Sequence, residues 1–331
     1  MAEYSASNIQ VLEGLEAVRK RPGMYVGSTG PRGLEHLVYE LVSNTVDRFL
    51  AGEATQLTVR LGDRVVVSDD GDGLPFEVPT EHGPLATAFL TRLHHAASAD
   101  QHRPHVHVQG LHGVGLAAVN ALAARLEVTS WRSGTRWEQG FSRGVPDGPA
   151  AGAPDDGRGT TVVLQPDPKI FGDQQPRRSV VRARLFLAAH LFPGLRITLD
   201  DEVFLAPEGL GALAPLLFHP TDRWGSRHDR VWSFTHSSSD LHLAVAAIGT
   251  AETPTWRTWF AGAKTPEHGS HRDGVARALE DVGWIPGLVL VHAVSTDFRF
   301  AGPTRDKVIA PDLVDRFAAL LRPSLRAFMD D

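Results

Sequence analysis

The residues best suited to chemistry fall into three short groups in the first half of the chain. His36, Glu40, Asn44 and Asp47 recur at helical spacing, and at about 100° per residue they share an arc of roughly 80° on one side of a helix. Solvated helix faces form such arcs too, but those faces usually carry Lys and Arg, and this arc has neither. The other reading is a polar face turned into a wet pocket. The second group is the run Asp69-Asp70-Gly71-Asp72-Gly73-Leu74-Pro75, directly after a β-branched stretch. Taken alone, such a run is often a turn or a loose cation site. Two glycines one residue apart also let the backbone approach a flat ligand, and a carboxylate at a strand end can accept from an exocyclic amine, a pairing that suits adenine. The third group, Gly110-Leu111-His112-Gly113-Val114-Gly115, opens a helix whose next residues are Leu116, Ala117 and Ala118. Small residues at a helix start leave backbone N–H groups pointing outward, where a phosphate can be held. The order of these glycines does not fit the dinucleotide fingerprint G-x-G-x-x-G, and no βαβ unit surrounds them.

Periodicity supplies the elements that must position these groups. Leu37, Val38, Leu41, Val42, Val46 and Phe49 are spaced for the buried face of a helix over 33–50, preceded by another over 11–19. Strands over 56–61 and 64–68 flank the turn Gly62-Asp63 and form a hairpin. A helix over 84–93, a polar histidine-laden loop to 109 and a helix over 115–124 follow, then strands over 126–131, 135–141 and 159–165. The Gly, Pro, Ala and Asp-rich stretch 144–159 reads as an exposed loop. An amphipathic helix over 177–191 and a strand pair over 195–204 complete a first α/β layer structure. Beyond a loop-rich stretch, 207–229, strands over 231–235, 241–249, 256–260 and 288–294 and helices over 274–282 and 311–329 make a second β-α unit. The boundary falls near residue 206, giving domains 1–206 and 207–331, and no repeat at solenoid spacing is present.

The totals bound the answer. A chain of 331 residues holds two ordinary domains. No apolar run approaches the roughly 20 residues of a membrane helix. The amino terminus lacks the basic flank and apolar stretch of a secretory signal, and zero cysteines exclude a disulfide framework, so a cytoplasmic location with no membrane contact is expected. A net charge of −6 argues against a whole-surface nucleic-acid binder, and any DNA contact must be local.

Together and in this order, the three groups resemble the nucleotide site of the GHKL superfamily, which groups gyrase, the heat-shock chaperone Hsp90, histidine kinases and MutL. Within it, VLEGLEAVRKRPGMYVG, YELVSNTVDRFLAG, DDGDGLP and GLHGVG are similar to the ATPase region of bacterial gyrase B and topoisomerase IV. The resemblance covers residues 4–166 and reaches more loosely to the end of the chain. It implies an α+β fold: a Bergerat-type two-layer α/β sandwich with an N-terminal dimerisation arm, then a smaller, ribosomal-S5-like transducer domain. It implies ATP and Mg2+ as cofactors. Glu40 would be the general base that polarises the attacking water, His36 would orient and tune it, and Asn44 would hold the magnesium through a neutral hard oxygen. Asp69 would accept from the adenine amino group with Thr160 supporting that water-linked contact. Asp47, Gly71, Gly73 and Pro75 would complete the pocket, and Leu111, His112, Gly113, Val114 and Gly115 would cradle the phosphates. Tyr4 would reach across a nucleotide-induced homodimer, and Arg305, in Pro303-Thr304-Arg305-Asp306-Lys307, would stand in for the family's γ-phosphate lysine.

The departures from the family pattern matter as much. Arg48 stands where an acid is usual, and Asp72 where an arginine is, so a family ion pair is expected here with its charges inverted. The segment 94–109, at the position of the ATP lid, lacks the usual lysines and double glycine and carries His94, His95, His102, Arg103, His105 and His107. Its His-Val-His spacing offers a metal site as the alternative to a partly protonated loop. Asp200-Asp201-Glu202 reads as a strand-end turn, and neither the magnesium-binding cleavage domain of gyrase B nor the DNA-attacking tyrosine of its companion protein has a counterpart, so the chain is not expected to cut DNA alone. Two functions remain: an ATP-hydrolysing gyrase B-like protein that dimerises on nucleotide and acts on DNA topology only with gyrase or topoisomerase subunits, and a nucleotide-binding decoy or gyrase-interacting, inhibitor-sequestering module with little turnover.

Overall fold

A computed structural model describes residues 14–81, 83–93, 114–218, 230–302 and 305–331. Tyr4, the histidine-bearing segment 94–109, Leu111, His112, Gly113, Pro303 and Thr304 lie outside these residues. The described chain forms two compact units. The first holds the residues up to Ala183 together with Ile197–Glu202; the second holds Arg184–Arg196 and Val203–Asp331.

In chain order the elements up to residue 204 are α1 Gly14–Lys20, α2 Gly23–Val26, α3 Pro31–Leu50, β1 Gln56–Arg60, β2 Val65–Asp69, β3 Pro79–Thr80, β4 Gly83–Pro84, α4 Leu85–Thr91, α5 Gly115–Leu122, β5 Ala123–Arg132, β6 Thr135–Ser142, β7 Val145–Pro146, β8 Ala151–Pro154, β9 Gly159–Pro166, α6 Pro168–Phe171, α7 Arg178–Leu191, β10 Arg196–Leu199 and β11 Glu202–Phe204. Their sheet runs β11-β10-β1-β2-β9-β5-β6-β7, with β8 also pairing β6, and the central pairs β1–β2, β2–β9, β9–β5 and β5–β6 are antiparallel. Burial alternates along β1, β2 and β6, as a sheet covered on one face requires. The cover is helical: α3 rests on β2, α5 on β5, and α1, α3 and α4 all meet α5.

Helix α3 starts after extended Gly30 with Pro31 at its first turn, where a missing N–H costs nothing. Leu34, Leu37, Val38, Leu41 and Val46 are buried along it, against a sheet whose Leu57, Val59, Val67, Leu126 and Leu164 are buried too. Ion pairs fix its surroundings. Glu35, buried near its start, accepts from the backbone N–H, Nε and Nη2 of Arg177 at 3.2, 2.7 and 3.0 Å. Arg19 of α1 donates to the Ala121 carbonyl and to buried Asp167, both at 2.6 Å, and Arg143 joins the same carboxylate at 2.9 Å. The ends of α1, α5 and β9 thereby share one anchor.

The second unit adds α8 Leu210–Leu217, β12 Val231–Ser237, β13 Leu241–Ile248, β14 Thr255–Phe260, β15 Ala263–Lys264, α9 Ser270–Asp281, β16 Leu288–Ser295, β17 Arg299–Phe300, β18 Val308–Ile309 and α10 Asp312–Asp330. Its main sheet is ordered β12-β13-β16-β14-β15, with β14 and β16 parallel. Every residue of β13 and β16 is buried, so both faces of these central strands are covered. Trp232 donates to Ser324 on α10, while a side chain on Gly211 of α8 would strike Ser233. Adjacent strand residues point to opposite faces, which puts α8 and α10 on the two sides of the sheet.

Three expectations are corrected. The stretch 207–229 was expected to be loop-rich, yet Leu210–Leu217 is a helix: Gly209 precedes it with a positive φ of 53°, and Leu210, Leu213 and Ala214 are buried. The stretch 144–159 was expected to be a loop, and β7 and β8 form in it as short exposed edge pairings to β6. The helix expected over 115–124 ends at Leu122 because Ala123 is already extended, at φ −82° and ψ 139°, and begins β5. In the acidic run at 200–202, Asp200 and Asp201 form the turn between β10 and β11 as expected and Glu202 begins β11, with Asp200 accepting from the Leu61 N–H at 3.0 Å and from Arg178 at 2.9 Å.

Candidate functional site

Helix α3 carries His36, Glu40, Asn44 and Asp47 along its partly exposed side, opposite the buried apolar residues. His36 Nε2 lies 3.0 Å from Glu40 Oε1. Asn44 Nδ2 donates to the Glu40 carbonyl at 3.0 Å, which leaves the amide oxygen Oδ1 as a hard, neutral acceptor. The second carboxylate oxygen of Glu40 lies over the first residue of α5. A Cβ placed on Gly115 would stand 2.2 Å from Glu40 Oε2. The glycine there makes room for the carboxylate, and Val114, at the helix start, provides no side-chain cap. The first-turn N–H groups of α5 therefore face the same space as the His36–Glu40 pair, a combination able to hold an anion beside a general base.

The turn after β2 forms the other wall. Half-buried Asp69 accepts from the Gly71 N–H at 2.9 Å and faces the Thr160 N–H across the β2–β9 register. Burial pushes its carboxyl above the ordinary range, opposed first by the charge of Arg48 and then by the Gly71 and Thr160 N–H groups. Gly71 and Pro75 are buried. Gly73 has φ 76°, and a Cβ on it would lie 2.1 Å from the Trp131 carbonyl, so the turn presses against the end of β5 as only a glycine allows. Thr160 is buried, with its hydroxyl 3.0 Å from Ser130 Oγ.

Ser130, whose position in the sequence carries no signal, ties this wall together. Its buried hydroxyl accepts from the Leu74 N–H at 2.7 Å and also meets Thr160. Arg132 adds a strap, with its Nε on Glu77 at 2.5 Å and its Nη1 on the Asp72 carbonyl at 3.3 Å. Both residues sit within a strand whose alternation looks like ordinary sheet, and the partners they find are 55 or more residues away for Leu74 and Glu77. The expected inverted pair does not form. Arg48 pairs with Glu53 at 3.4 Å, and Asp72 pairs with Arg158 at 2.8 Å; Asp72 is exposed on the turn while Arg48 stays against Gly71, so each takes the carboxylate or guanidinium nearest to it.

In the second unit, Arg305 adopts a left-handed φ of 59° and places its guanidinium 5.7 Å from the Phe300 ring centroid. Its segment is fastened by Glu267 N–H to the Asp306 carbonyl at 2.9 Å and Val308 N–H to the His268 carbonyl at 3.0 Å. Among the described residues no three His, Asp or Glu side chains are grouped to hold a metal, and no helix is long and apolar enough to cross a membrane. Tyr4, Leu111, His112, Gly113 and the histidines of the expected lid lie outside the described residues.

Known proteins share sequence and fold with this chain. Residues 29–170 match the family described as histidine kinase-, DNA gyrase B-, and HSP90-like ATPase. The DNA gyrase B protein of Micrococcus luteus is 48% identical over 205 residues, which is 60% of this chain and 28% of that protein. The Mycolicibacterium smegmatis counterpart is 45% identical over 208 residues, 62% of this chain and 31% of that one. The chain thus matches less than a third of the length of these relatives. Among solved structures, the 43K ATPase domain of Thermus thermophilus gyrase B, determined with an aminocoumarin, superposes with a TM-score of 0.77 at 25% identity, over 96% of this chain and 90% of that one. The topoisomerase IV ATP-binding domain of Francisella tularensis shares the fold at a TM-score of 0.79 and 23% identity, over 97% and 93% of the two chains. The α+β fold is therefore shared with solved gyrase B and topoisomerase IV ATPase domains, and residues 29–170 of this chain match the histidine kinase-, DNA gyrase B- and HSP90-like ATPase family.

Proposed function

We propose that the first unit binds ATP with magnesium and hydrolyses it, and that the chain is a gyrase B-like ATPase whose turnover is linked to dimerisation. The observation that carries this reading is the position of Glu40, held by His36 at 3.0 Å through one oxygen while the other overlies Gly115 at the start of α5. A triphosphate held by the first-turn N–H groups of α5 would have that carboxylate beside its terminal phosphorus. Glu40 takes the proton of the attacking water, His36 keeps the carboxylate oriented, and Asp69 accepts from the adenine amino group with Gly71, Gly73 and Pro75 shaping the pocket around the ring. The donor set fits magnesium: Asn44 Oδ1 is a neutral oxygen left over by the amide's hydrogen bond to Glu40. Asn44 would hold the magnesium, which would supply positive charge to offset that of the phosphates. Asp47 and Thr160 are assigned to the same pocket by the resemblance. Roles for Tyr4 in a homodimer, for Leu111, His112, Gly113 and Val114 around the phosphates, and for Arg305 at the γ-phosphate rest on the resemblance to gyrase B, as do the transducer role of the second unit, the gyrase or topoisomerase subunits as partners and a cytoplasmic location.

The test is ATP turnover of the purified chain beside Glu40→Ala, with nucleotide affinity measured on both and on Asp69→Ala. Glu40→Ala is expected to lose turnover and keep affinity, and Asp69→Ala to lose affinity. Equal, negligible turnover in wild type and Glu40→Ala, with binding intact, would leave a nucleotide-binding module in place of an enzyme, and retained affinity in Asp69→Ala would remove the pocket assignment.

A further inference from the structure

The base pocket contains a charge whose placement its own ion pair does not explain. Arg48 lies in the last turn of α3, and its partner there, Glu53, is 39% exposed, whereas the Arg48 side chain is only 15% exposed. An arginine engaged with a surface carboxylate alone would extend toward solvent. This one runs inward along the DDGDG turn. A Cβ on Gly71 would lie 3.0 Å from Arg48 Cδ and 3.0 Å from Asp69 Oδ1, so the arginine stem and that carboxylate oxygen are separated by no more than twice that distance, with the bare Cα of Gly71 between them. Gly71 has no left-handed φ; what it provides is this narrow gap.

The other charges around Asp69 are committed elsewhere. Asp70 accepts from the Thr55 N–H and hydroxyl at 2.7 and 2.6 Å and from the Gln56 N–H at 2.8 Å, which more than offset its burial and hold its carboxyl below the ordinary range. Its negative charge acts on Asp69 in the same direction as burial. Asp72 is paired with Arg158, Arg132 with Glu77, and Glu53 with Arg48 itself. Burial and Asp70 thus both favour a neutral Asp69, and Arg48 is the first group opposing them. A neutral carboxyl is a poorer acceptor for an exocyclic amine than a carboxylate.

We propose that Arg48 is a positioning residue for the base site, packed across Gly71 so that Asp69 stays an ionised acceptor for the amino group of a purine. The inference rests on the reading of Asp69 as the base acceptor. Arg48 need not touch the nucleotide; it acts through the carboxylate.

The experiment pairs two measurements on wild type, Arg48→Gln and Arg48→Lys. The first is the carbon-13 carboxyl titration of Asp69 in the nucleotide-free chain, with the resonance identified by its loss in Asp69→Asn. The second is ATP affinity from pH 5.5 to 8.5, as the ratio of variant to wild type, which cancels the titration of the nucleotide's own phosphates. Arg48→Gln is expected to raise the Asp69 midpoint by about 1 unit, and its affinity ratio to approach one at the alkaline end, to fall below the raised midpoint and to level off about tenfold down beneath the wild-type midpoint. Arg48→Lys should restore much of both. An Asp69 midpoint unmoved in Arg48→Gln, or a loss of affinity equal at every pH, would overturn the proposal and leave Arg48 as a brace for the α3 terminus. If wild type binds no ATP at any pH, the nucleotide reading fails, and the carbon titration alone then decides whether Arg48 sets the charge of Asp69.

Discussion

Gly115→Ala puts the assignment of Glu40 to a sharp test because it adds a single methyl group. Gly115 has an ordinary helical φ, so alanine is allowed there, and in a helix it is favoured over glycine by up to about 1 kcal/mol. The added Cβ would nevertheless lie 2.2 Å from Glu40 Oε2 and 3.2 Å from its Cδ. Restoring an ordinary contact of about 3.5 Å requires the carboxylate to retreat by about 1.3 Å, which the flexible end of a glutamate can do without disturbing α3. The retreat drags Oε1 from the 3.0 Å contact with His36. A displacement of about 1 Å in a positioned group can cost about 10²-fold in rate, or about 2.7 kcal/mol of barrier. The expected result is a chain with unchanged or raised thermal stability, ATP affinity within a few fold of wild type, and turnover down about a hundredfold. The double variant Gly115→Ala, Glu40→Ala should be no slower than Glu40→Ala alone, since both remove the same group. Steady-state phosphate release and a thermal melt measure all of this. Full turnover in a folded Gly115→Ala would mean that Glu40 is not the base, and additive losses in the double variant would mean that the methyl group harms something else.

Two further outcomes concern stability. Arg177→Ala takes the two guanidinium donors from buried Glu35 and leaves it only the backbone N–H of residue 177, and is expected to cost about 1–3 kcal/mol at pH 7, read from urea midpoints. Arg177, by hydrogen bond, holds the Glu35 carboxyl below its ordinary range against the effect of burial, so this contribution is present above the ordinary glutamate value of about 4.3 and fades as the pH falls through the lowered one; a gap between the two proteins that persisted unchanged into that acid range would contradict the ion pair. In the second unit, burial pushes His242 down to about 4 and His271 down to about 3. The unfolded chain then binds the extra protons below about 6.5, and each ring should withdraw about 1.4 kcal/mol of stability per pH unit from there down to its folded value. His242→Phe should lower that acid slope, and an unchanged slope would show that the ring is already protonated in the fold.

What could be read from the sequence was local. The His36, Glu40, Asn44 and Asp47 arc follows from helical geometry and needs no knowledge of partners, and the β1–β2 hairpin followed from its turn. What could not be read depends on distant partners. Ser130 looked like a residue of an alternating strand, and its importance lies in the Leu74 N–H, 56 positions away. Asp167 gave no sign that Arg19, 148 positions away, and Arg143 would converge on it. The helix at Leu210–Leu217 likewise depends on distant partners, since Leu210 and Leu213 are buried where it packs on β12 and β13.

Arg48 is the instructive case. From composition at two positions, an inverted Arg48–Asp72 pair was the simplest expectation, because swapping both signs preserves attraction. The fold decides otherwise because the two side chains leave the turn in different directions: Asp72 is exposed and meets Arg158 at 2.8 Å, while Arg48 runs behind Gly71. A sign reversal at the two positions therefore does not return the original electrostatics. It places a cation behind the half-buried Asp69, where burial and Asp70 both favour the neutral form. If nucleotide binding at this site needs an ionised acceptor, its tolerance of acid is then set by a residue that the ligand never meets, and acid sensitivity in Arg48→Gln with rescue in Arg48→Lys is the behaviour that separates this from a simple structural brace.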